Sequence, residues 1–384
     1  MKSDFSFRPS NLEEMWEQWL TPLRYHELSL IVSYPGNDNI RRVDQLIADA
    51  VFVRKSLGTK GGIEWVKLDY RISKWVNTDQ LMLSVGSVCV DKLTKIVLFR
   101  GFETLIREGR TDLIMGIQDL YRLANIRVIL TCDNNYYDPD FEKILLSSLS
   151  FQPRIGYLPE YSAGQASDFV EYLSDEWKME LTENVKNMIY QNCGGNLGFV
   201  REVVWYLRDK GVDEIEQALT SQQLLWQIRS WWTKLSNSDR EYLRYLAFGL
   251  DTRDISPMTK DYMSRIGVVN ARGIIKAEQV VNYIRKYEVN PKSIGLVGEQ
   301  IIIGGLDYAS YFTQKQRQIL TTLISHKNEI VQRSILMELI WGEASSSDWA
   351  FDNQINRLRK RLNELGLKSS HLRTNRGKGL LWQE

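Results

Sequence analysis

A basic, amide-rich segment near the C-terminus carries the side chains with the clearest chemistry in this chain. Residues 351–364 place asparagine, arginine and lysine at spacings that bring several of them to one side of a helix. In a major groove, arginine pairs with guanine O6 and N7 and asparagine pairs with adenine, whereas lysine binds phosphate oxygens. The predicted DNA contacts from this helix are Asn353, Asn356, Arg357, Lys360 and Arg361.

A second group of cations flanks glycines close to the end of the chain. The sequence Arg376-Gly377-Lys378-Gly379 separates two short runs typical of strands, which predicts a hairpin. Glycine lets a backbone approach the duplex closely, so Arg376 and Lys378 are predicted to contact phosphates, or, for Arg376, a narrow minor groove. Arg373, on the first run, belongs to the same predicted set.

Three helices are predicted to position these side chains. Phe351, Ile355, Leu358 and Leu362 are spaced at i, i+4, i+7 and i+11, which predicts one buried stripe on a helix that ends near Gly366. Before it, residues 313–325 and 335–341 read as helices, with Thr313 and Ser334 as their N-caps. Residues 342–349 are predicted to form a polar loop.

Residues 300–382 resemble the winged-helix effector domain of OmpR/PhoB-type response regulators. The resemblance is carried by TQKQRQIL, VQRSILMELIWG, D-x-x-I-N-R-L-R-K-R-L and R-T-N-R-G-K-G-L, in that order. It implies a DNA-binding domain preceded by extra strands at residues 301–312. Trp349 stands where the family usually has arginine, and Leu380 where it usually has tyrosine.

The charge distribution agrees with this interpretation. The whole chain has a formal net charge of +1, yet residues 313–384 contain 12 Lys/Arg and 7 Asp/Glu. The basic surplus therefore lies in the segment predicted to bind DNA. The alternative interpretation is a helix with an ordinary solvated charged face.

The N-terminal half alternates strand-like and helix-like runs. Apolar strand runs are predicted at residues 27–33, 64–70, 95–99, 127–131 and 154–158. Helices are predicted between them, including residues 40–57 and 79–89. This alternation predicts an α/β fold with a parallel sheet covered by helices on both faces.

The order of these runs resembles a P-loop ATPase core of the AAA+ or STAND class. Residues 161–172 and 194–207 resemble the helical lid that follows such a core, and residues 236–287 resemble a winged helix that follows the lid. In that middle segment a strand pair is predicted at 268–277, and its cations are predicted to pack against the core more often than to bind DNA. The predicted domains are 1–158 (core), 159–220 (lid), 221–290 (middle winged helix) and 291–384 (terminal winged helix).

The residues that nucleotide chemistry needs are replaced. A phosphate loop requires glycines, a lysine that reaches the β/γ-phosphates and a hydroxyl that binds Mg²⁺. Here Gly36 remains, but Asn39 stands in the lysine position and Ile40 in the hydroxyl position. Arg100 stands at the strand end where the resemblance implies a metal-binding acid, and Glu103 is either a remnant base or a helix-start carboxylate. These five positions form a predicted degenerate nucleotide site.

Other chemistry is sparse in the sequence. His26, His326 and His371 lie in unrelated segments, and the three cysteines lack C-x-x-C spacing, so no catalytic residue, metal or cofactor is predicted. No apolar run reaches about 18 residues, and the first residues lack the apolar core of a signal peptide. These features predict a cytoplasmic protein with no membrane partner.

Three functions are compatible with the sequence. The favoured one is a double-stranded-DNA-binding transcriptional regulator whose inactive ATPase-like core serves as an assembly platform, with a homo-oligomer or a larger complex as possible partners. The first alternative is a non-catalytic subunit of a nucleoprotein complex, such as a mobile-element or defence complex, whose winged helices bind protein or RNA. The second is an ATPase with an unconventional nucleotide site.

Overall fold

The computed structural model divides the chain into two compact units. They comprise Met1–Lys286 (unit 1) and Tyr287–Glu384 (unit 2). The structure describes residues 7, 12–36, 39–59, 61–86, 93–139, 141, 143–144, 152–298, 300–342, 347–365, 367, 371–375 and 377–383, and the description of 39 and 40 is limited to their backbone.

A five-stranded parallel sheet forms the centre of unit 1. Its strands lie in the order β2-β3-β4-β1-β5, and every described neighbour pair is parallel. All five predicted strands are confirmed. Their bounds are Ser29–Val32 (β1), Gly62–Asp69 (β2), Leu93–Arg100 (β3), Ile126–Cys132 (β4) and Arg154–Tyr157 (β5).

Helices cover both faces of this sheet, as predicted. On β3, Ile96 and Leu98 pack in the cluster that contains Trp16, whereas Val97 and Phe99 belong to the cluster on the other side. This alternation follows from the two-residue period of a strand. The helices are Leu12–Arg24 (α1), Asn39–Ala48 (α2), Ala50–Leu57 (α3), Tyr70–Ser73 (α4), Thr78–Val85 (α5), Phe102–Arg107 (α6) and Thr111–Tyr121 (α7).

Two predicted helices differ from the observed ones. The helix predicted over 40–57 is interrupted at Asp49, whose side chain accepts a hydrogen bond from Phe52 N at 3.0 Å and so starts α3. The helix predicted over 79–89 ends at Val85, before Gly86, which adopts a positive φ of 76°. Residues 87–89 lie outside the described residues.

A helical bundle follows the sheet within unit 1. Side-chain caps define its helix starts, for example Ser162, which forms a capping box with Gln165. Buried residues from the bundle and from one sheet face form a single hydrophobic cluster. Its helices are Ala163–Trp177 (α8), Glu183–Cys193 (α9), Leu197–Lys210 (α10), Ile215–Leu219 (α11), Gln222–Lys234 (α12), Asn237–Ala247 (α13), Pro257–Arg265 (α14) and Glu278–Tyr287 (α15).

The strand pair predicted at 268–277 is present only as a short antiparallel pairing, with hydrogen bonds from Asn270 N to the Ile274 carbonyl at 2.9 Å and from Lys276 N to the Val268 carbonyl at 3.0 Å. In the described part of this segment the chain forms one isolated bridge, between Val269 and Ile275. The Asn270 side chain accepts hydrogen bonds from the backbone N–H groups of Arg272 and Ile274, which closes a tight turn instead of extending a wing. The middle segment therefore consists mainly of helices, with a tight turn between two of them. Its buried residues belong to the same hydrophobic cluster as those of one sheet face.

Unit 2 has its own hydrophobic core between two small antiparallel sheets and three helices. Thr313 caps its first helix, as predicted. The next helix begins at Arg333 after Gln332, so the predicted cap at Ser334 is wrong. The elements are Ile294–Val297 (β6), Gln300–Ile303 (β7), Leu306–Asp307 (β8), Gln314–Ser325 (α16), Ile330–Val331 (β9), Arg333–Trp341 (α17), Asp348–Glu364 (α18), Leu372–Asn375 (β10) and Gly379–Trp382 (β11).

Candidate nucleic-acid interface

Helix α18 is anchored by the predicted apolar stripe. Phe351, Ile355, Leu358 and Leu362 are all buried in the core of unit 2. The helix begins at Asp348, earlier than predicted, because the Ser347 hydroxyl accepts a hydrogen bond from Ala350 N at 3.3 Å. The end of the predicted 342–349 loop is therefore helical.

The face of α18 opposite the stripe carries the predicted base-contacting side chains. We call it the reading face. Asn356, Arg357 and Lys360 are exposed there, and Asn353 is half-buried. At about 100° per residue these four lie within roughly a third of the helix circumference. Amide, guanidinium and ammonium groups are thus presented together on one exposed surface.

Arg361 differs from the other predicted contacts. Its Nη1 donates to the Tyr311 carbonyl at 2.7 Å and to Gln316 Oε1 at 2.8 Å. Its guanidinium also lies over the Tyr311 ring, 5.6 Å from the centroid. These contacts hold α18 against the start of α16, so Arg361 also positions the helix, and its predicted contact with DNA stays a prediction.

The predicted hairpin is present, with β10 antiparallel to β11. Gly377, in its turn, has a φ of 74°. Gly379 is required by packing, because a Cβ atom there would lie 2.0 Å from the Val331 carbonyl oxygen. Lys378 is exposed at the tip and Arg373 is exposed on β10, whereas Arg376 lies outside the described residues.

Arg359 joins the hairpin to α18. Its Nη2 donates to the Leu372 carbonyl at 2.9 Å and to Thr374 Oγ1 at 2.7 Å, and its Nε donates to the same carbonyl at 3.2 Å. The sequence shows Arg359 as one more cation of a basic helix, so this role was missed. The sequence held one signal of this role, an arginine beside the apolar stripe of a helix that β10 follows closely.

A groove of about 1010 Å³ separates the helix from the hairpin. Asn356 and Arg359 line its helix side, and Thr374 and Lys378 line its hairpin side. Polar and cationic groups therefore border both walls. Such a groove can accept a polyanionic backbone while the reading face meets base edges.

The turn that corresponds to the predicted phosphate loop begins at a buried tyrosine. Tyr34 is fully buried and packs edge-on against Trp231, with ring centroids 6.2 Å apart. The Ser33 carbonyl accepts a hydrogen bond from the Tyr262 hydroxyl at 2.8 Å. Gly36 adopts a φ of 82°. The side chains of Asn39 and Ile40 lie outside the described part of the structure.

Arg100, at the end of β3, is directed towards α2. Its Nη2 forms an ion pair with Asp44 Oδ1 at 2.9 Å, and Lys67 pairs with the same oxygen at 2.8 Å. The Asp44 carboxylate thus pairs with two cations at this edge of the sheet. The position predicted to lack a metal-binding acid holds a cation that is engaged in a structural ion pair.

A third cation lies among the carboxylates at the same sheet edge. Arg71 pairs with Asp69 at 2.9 Å and with Asp133 at 3.3 Å, and Asp133 accepts from Ser33 Oγ at 2.7 Å. Burial, and next the Asp133 carboxylate, raise the pKa of Glu103 to about 7. Glu103 also accepts from Asp133 N at 3.3 Å. The role of Arg71 was missed, because the strand order that brings these residues together is not visible in sequence.

Three further cations of unit 1 have contacts within that unit. Arg201 lies over the Trp205 ring, 5.1 Å from its centroid. Arg265 pairs with Asp261 at 2.7 Å. The Lys276 charge favours the ionised form of the buried Glu160 carboxyl. All three therefore interact with other residues of unit 1.

Two solved structures align with most of this chain. The Walker-type ATPase paby2304 of Pyrococcus abyssi aligns with a TM-score of 0.43 and 14% identity, over 78% of this chain and 97% of that one. The Thermotoga maritima RuvB Holliday junction branch migration motor aligns with a TM-score of 0.37 and 15% identity, over 73% of this chain and 95% of that one.

In the described residues, no helix is both long and apolar enough to cross a bilayer.

Sequence relatives match the terminal domain. The response regulator protein GraR of Staphylococcus aureus strain MRSA252 is 37% identical over 79 residues, which are 20% of this chain and 35% of GraR. GraR of Staphylococcus haemolyticus is 35% identical over the same length. The chain thus spans about a third of the length of these curated relatives. Residues 309–381 match the family described as "Transcriptional regulatory protein, C terminal", so unit 2 contains an OmpR/PhoB-type winged-helix domain of that family.

Proposed function

We propose that this protein binds double-stranded DNA through unit 2 and regulates transcription. The observation that carries the proposal is the reading face of α18, with the hairpin fixed beside it by Arg359. In this arrangement α18 enters the major groove, and the hairpin cations bind phosphates. DNA as partner also favours the cytoplasm of a bacterial cell as the site of action.

The two groups of predicted contacts are separable by mutation. Arg357→Ala is expected to weaken binding to a preferred duplex by about 1–3 kcal/mol, with little effect on random DNA, because it removes a base-edge contact. Lys378→Ala is expected to weaken both about equally and to reduce the salt slope by about one, because it removes a phosphate contact. Salt-titrated fluorescence anisotropy measures both effects.

A charge-matched control distinguishes contact from net charge. Arg122→Ala removes one exposed cation from unit 1 and is expected to leave both affinities unchanged. If Arg357→Ala and Lys378→Ala behave like Arg122→Ala at low salt, α18 and the hairpin do not read DNA. The nucleoprotein-complex alternative, with protein or RNA as partner, then becomes the better hypothesis.

For unit 1 we propose a non-catalytic role as an assembly platform. The proposal is supported by the buried Tyr34 side chain and by Arg100 and Arg71, which are engaged with acidic side chains at the sheet edge. The carboxylates that could bind Mg²⁺ at this edge are engaged by these cations, which also repel a metal ion. Assembly into a homo-oligomer or a larger complex is part of the same proposal.

Addition of Mg-ATP is therefore expected to leave the melting temperature of the full chain unchanged. A ligand present at 100 times its Kd would add about 2.7 kcal/mol of stability, so binding would be readily detected by differential scanning fluorimetry. Mg-ADP and Mg²⁺ alone serve as controls. An upward shift that requires ATP would favour the unconventional nucleotide site.

A further inference from the structure

Trp349 is a large apolar side chain on the first turn of α18, where the sequence predicts a loop. It is 74% exposed to solvent. Helices normally bury a tryptophan or turn it towards a partner, because its apolar area is large. The location of this exposed indole within the proposed DNA-binding domain requires an explanation.

Helix geometry places Trp349 on the reading face. Asn356 and Lys360 follow it by seven and eleven residues, which at about 100° per residue puts all three within roughly 20° of one direction. The rise of about 1.5 Å per residue sets Trp349 about 10 Å from Asn356 along the axis. This distance corresponds to about three base pairs of duplex.

The first turn of α18 is held in place by Arg333. This arginine pairs with Asp348 at 3.1 Å and with Asp352 at 2.9 Å. Its Nη2 also donates to the Asp348 carbonyl at 2.7 Å, and its guanidinium lies over the Phe351 ring, 4.7 Å from the centroid. Trp349 is therefore exposed on an anchored turn, so its backbone position relative to the rest of α18 is fixed.

The surroundings of Trp349 favour an apolar base edge over a phosphate. Asp348 and Asp352 flank it on the same turns, and both pair with the single guanidinium of Arg333. Two carboxylates against one cation make a poor phosphate site. The thymine 5-methyl is the apolar group that base pairs present in the major groove.

We infer that Trp349 is a specificity-determining residue whose indole contacts the 5-methyl group of a thymine about three base pairs from the base contacted at Asn356 and Arg357. The inference rests on the proposed function of unit 2. It adds a preference for a particular base, read by shape and apolar contact, to the hydrogen bonds of the reading face.

A deoxyuridine scan tests the contact directly. The preferred duplex is selected from a random library with the full-length protein, and each thymine is then replaced in turn by deoxyuridine, which pairs identically but lacks the methyl group. We expect one replacement to weaken wild-type binding about fourfold, the factor for one methyl group removed from water. That position should lie two to four base pairs from the one at which Arg357→Ala relaxes specificity.

Two variants and one control complete the test. Trp349→Ala and Trp349→Arg are expected to bind the thymine and deoxyuridine duplexes equally. Trp226→Ala, which removes a tryptophan that is 64% exposed in unit 1, should keep the fourfold response. A selected site without a preferred thymine, a flat scan with the wild type, or a response that persists in Trp349→Ala overturns the inference while DNA binding stands. Failure of the wild type to bind any duplex overturns both.

Discussion

Gly195→Ala is expected to destabilise unit 1 by about 3 kcal/mol or more, since overpacking against rigid backbone is among the costliest substitutions. A Cβ atom at this position would lie 2.0 Å from the Tyr161 carbonyl oxygen and 2.7 Å from its nitrogen. Both are backbone atoms, so no side-chain rotation can relieve the clash. Gly195 also accepts a hydrogen bond from Tyr161 N at 3.2 Å, so the two segments would have to separate.

Thermal unfolding and urea titration measure the effect. For a unit of this size the melting temperature is expected to fall by about 5–10 °C. Gly164→Ala is the matched control, because nothing lies within 4 Å of its Cβ position and it lies within α8. That variant is expected to gain up to about 1 kcal/mol, as alanine favours a helix. Equal melting temperatures for the two variants would contradict the packing argument.

The stability of unit 1 is expected to fall as the pH rises from about 5 to 8. Burial raises the pKa of Glu160 to about 7, that of Asp239 to about 7 and that of Glu103 to about 7. In an unfolded chain these carboxyls titrate near pH 4, so the folded state binds their protons more tightly. Their contribution is complete below about pH 4 and is lost as the pH rises through about 7, on the order of 3–4 kcal/mol per group.

Glu160→Gln tests one of these groups. Its carboxylate accepts a hydrogen bond from Gly195 N at 3.3 Å, and a glutamine oxygen can accept the same bond without a charge. The variant is expected to match the wild type near pH 5.5 and to exceed it at pH 8, so that the free energy of unfolding depends less on pH. Urea titrations at the two pH values provide the measurement.

Glu108→Gln is the control for this pH dependence. Glu108 is exposed, and hydrogen bonds from Lys74 and Tyr70 lower the pKa of its carboxyl. Its contribution is lost only as the pH falls through that lowered value, so the change in stability between pH 5.5 and 8 should equal that of the wild type. A wild-type stability that rises from pH 5.5 to 8 would contradict the prediction for the buried carboxyls.

The parts of the fold that depend on local sequence patterns could be predicted. Short apolar runs predicted every strand of the parallel sheet, and the spacing of Phe351, Ile355, Leu358 and Leu362 predicted the buried side of α18. Periodicity reports burial, and burial determines these elements. The start of α18 was missed because one hydroxyl, that of Ser347, extends the helix beyond its apolar stripe.

Contacts between distant segments were not predictable. Arg71 meets Asp133 only because the strand order places the ends of β1, β2 and β4 at one edge of the sheet. In the same way, the internal engagement of Arg361 depends on how α18 packs against Tyr311. The sequence shows the same arginine whether its side chain contacts solvent, a carboxylate or a carbonyl oxygen. Its partner is decided by tertiary packing.

The three hydrogen bonds of Arg359 hold α18 and the hairpin at a fixed separation. If α18 contacts bases as proposed, the separation between this helix and β10 is set by the protein and does not adjust freely to the duplex. A duplex whose groove is too narrow or too wide can satisfy one set of contacts only by deforming, at a cost that depends on its sequence. Under the proposed function, we therefore expect base pairs that no side chain touches to contribute to site selection, through the stiffness of the DNA between the two points of contact.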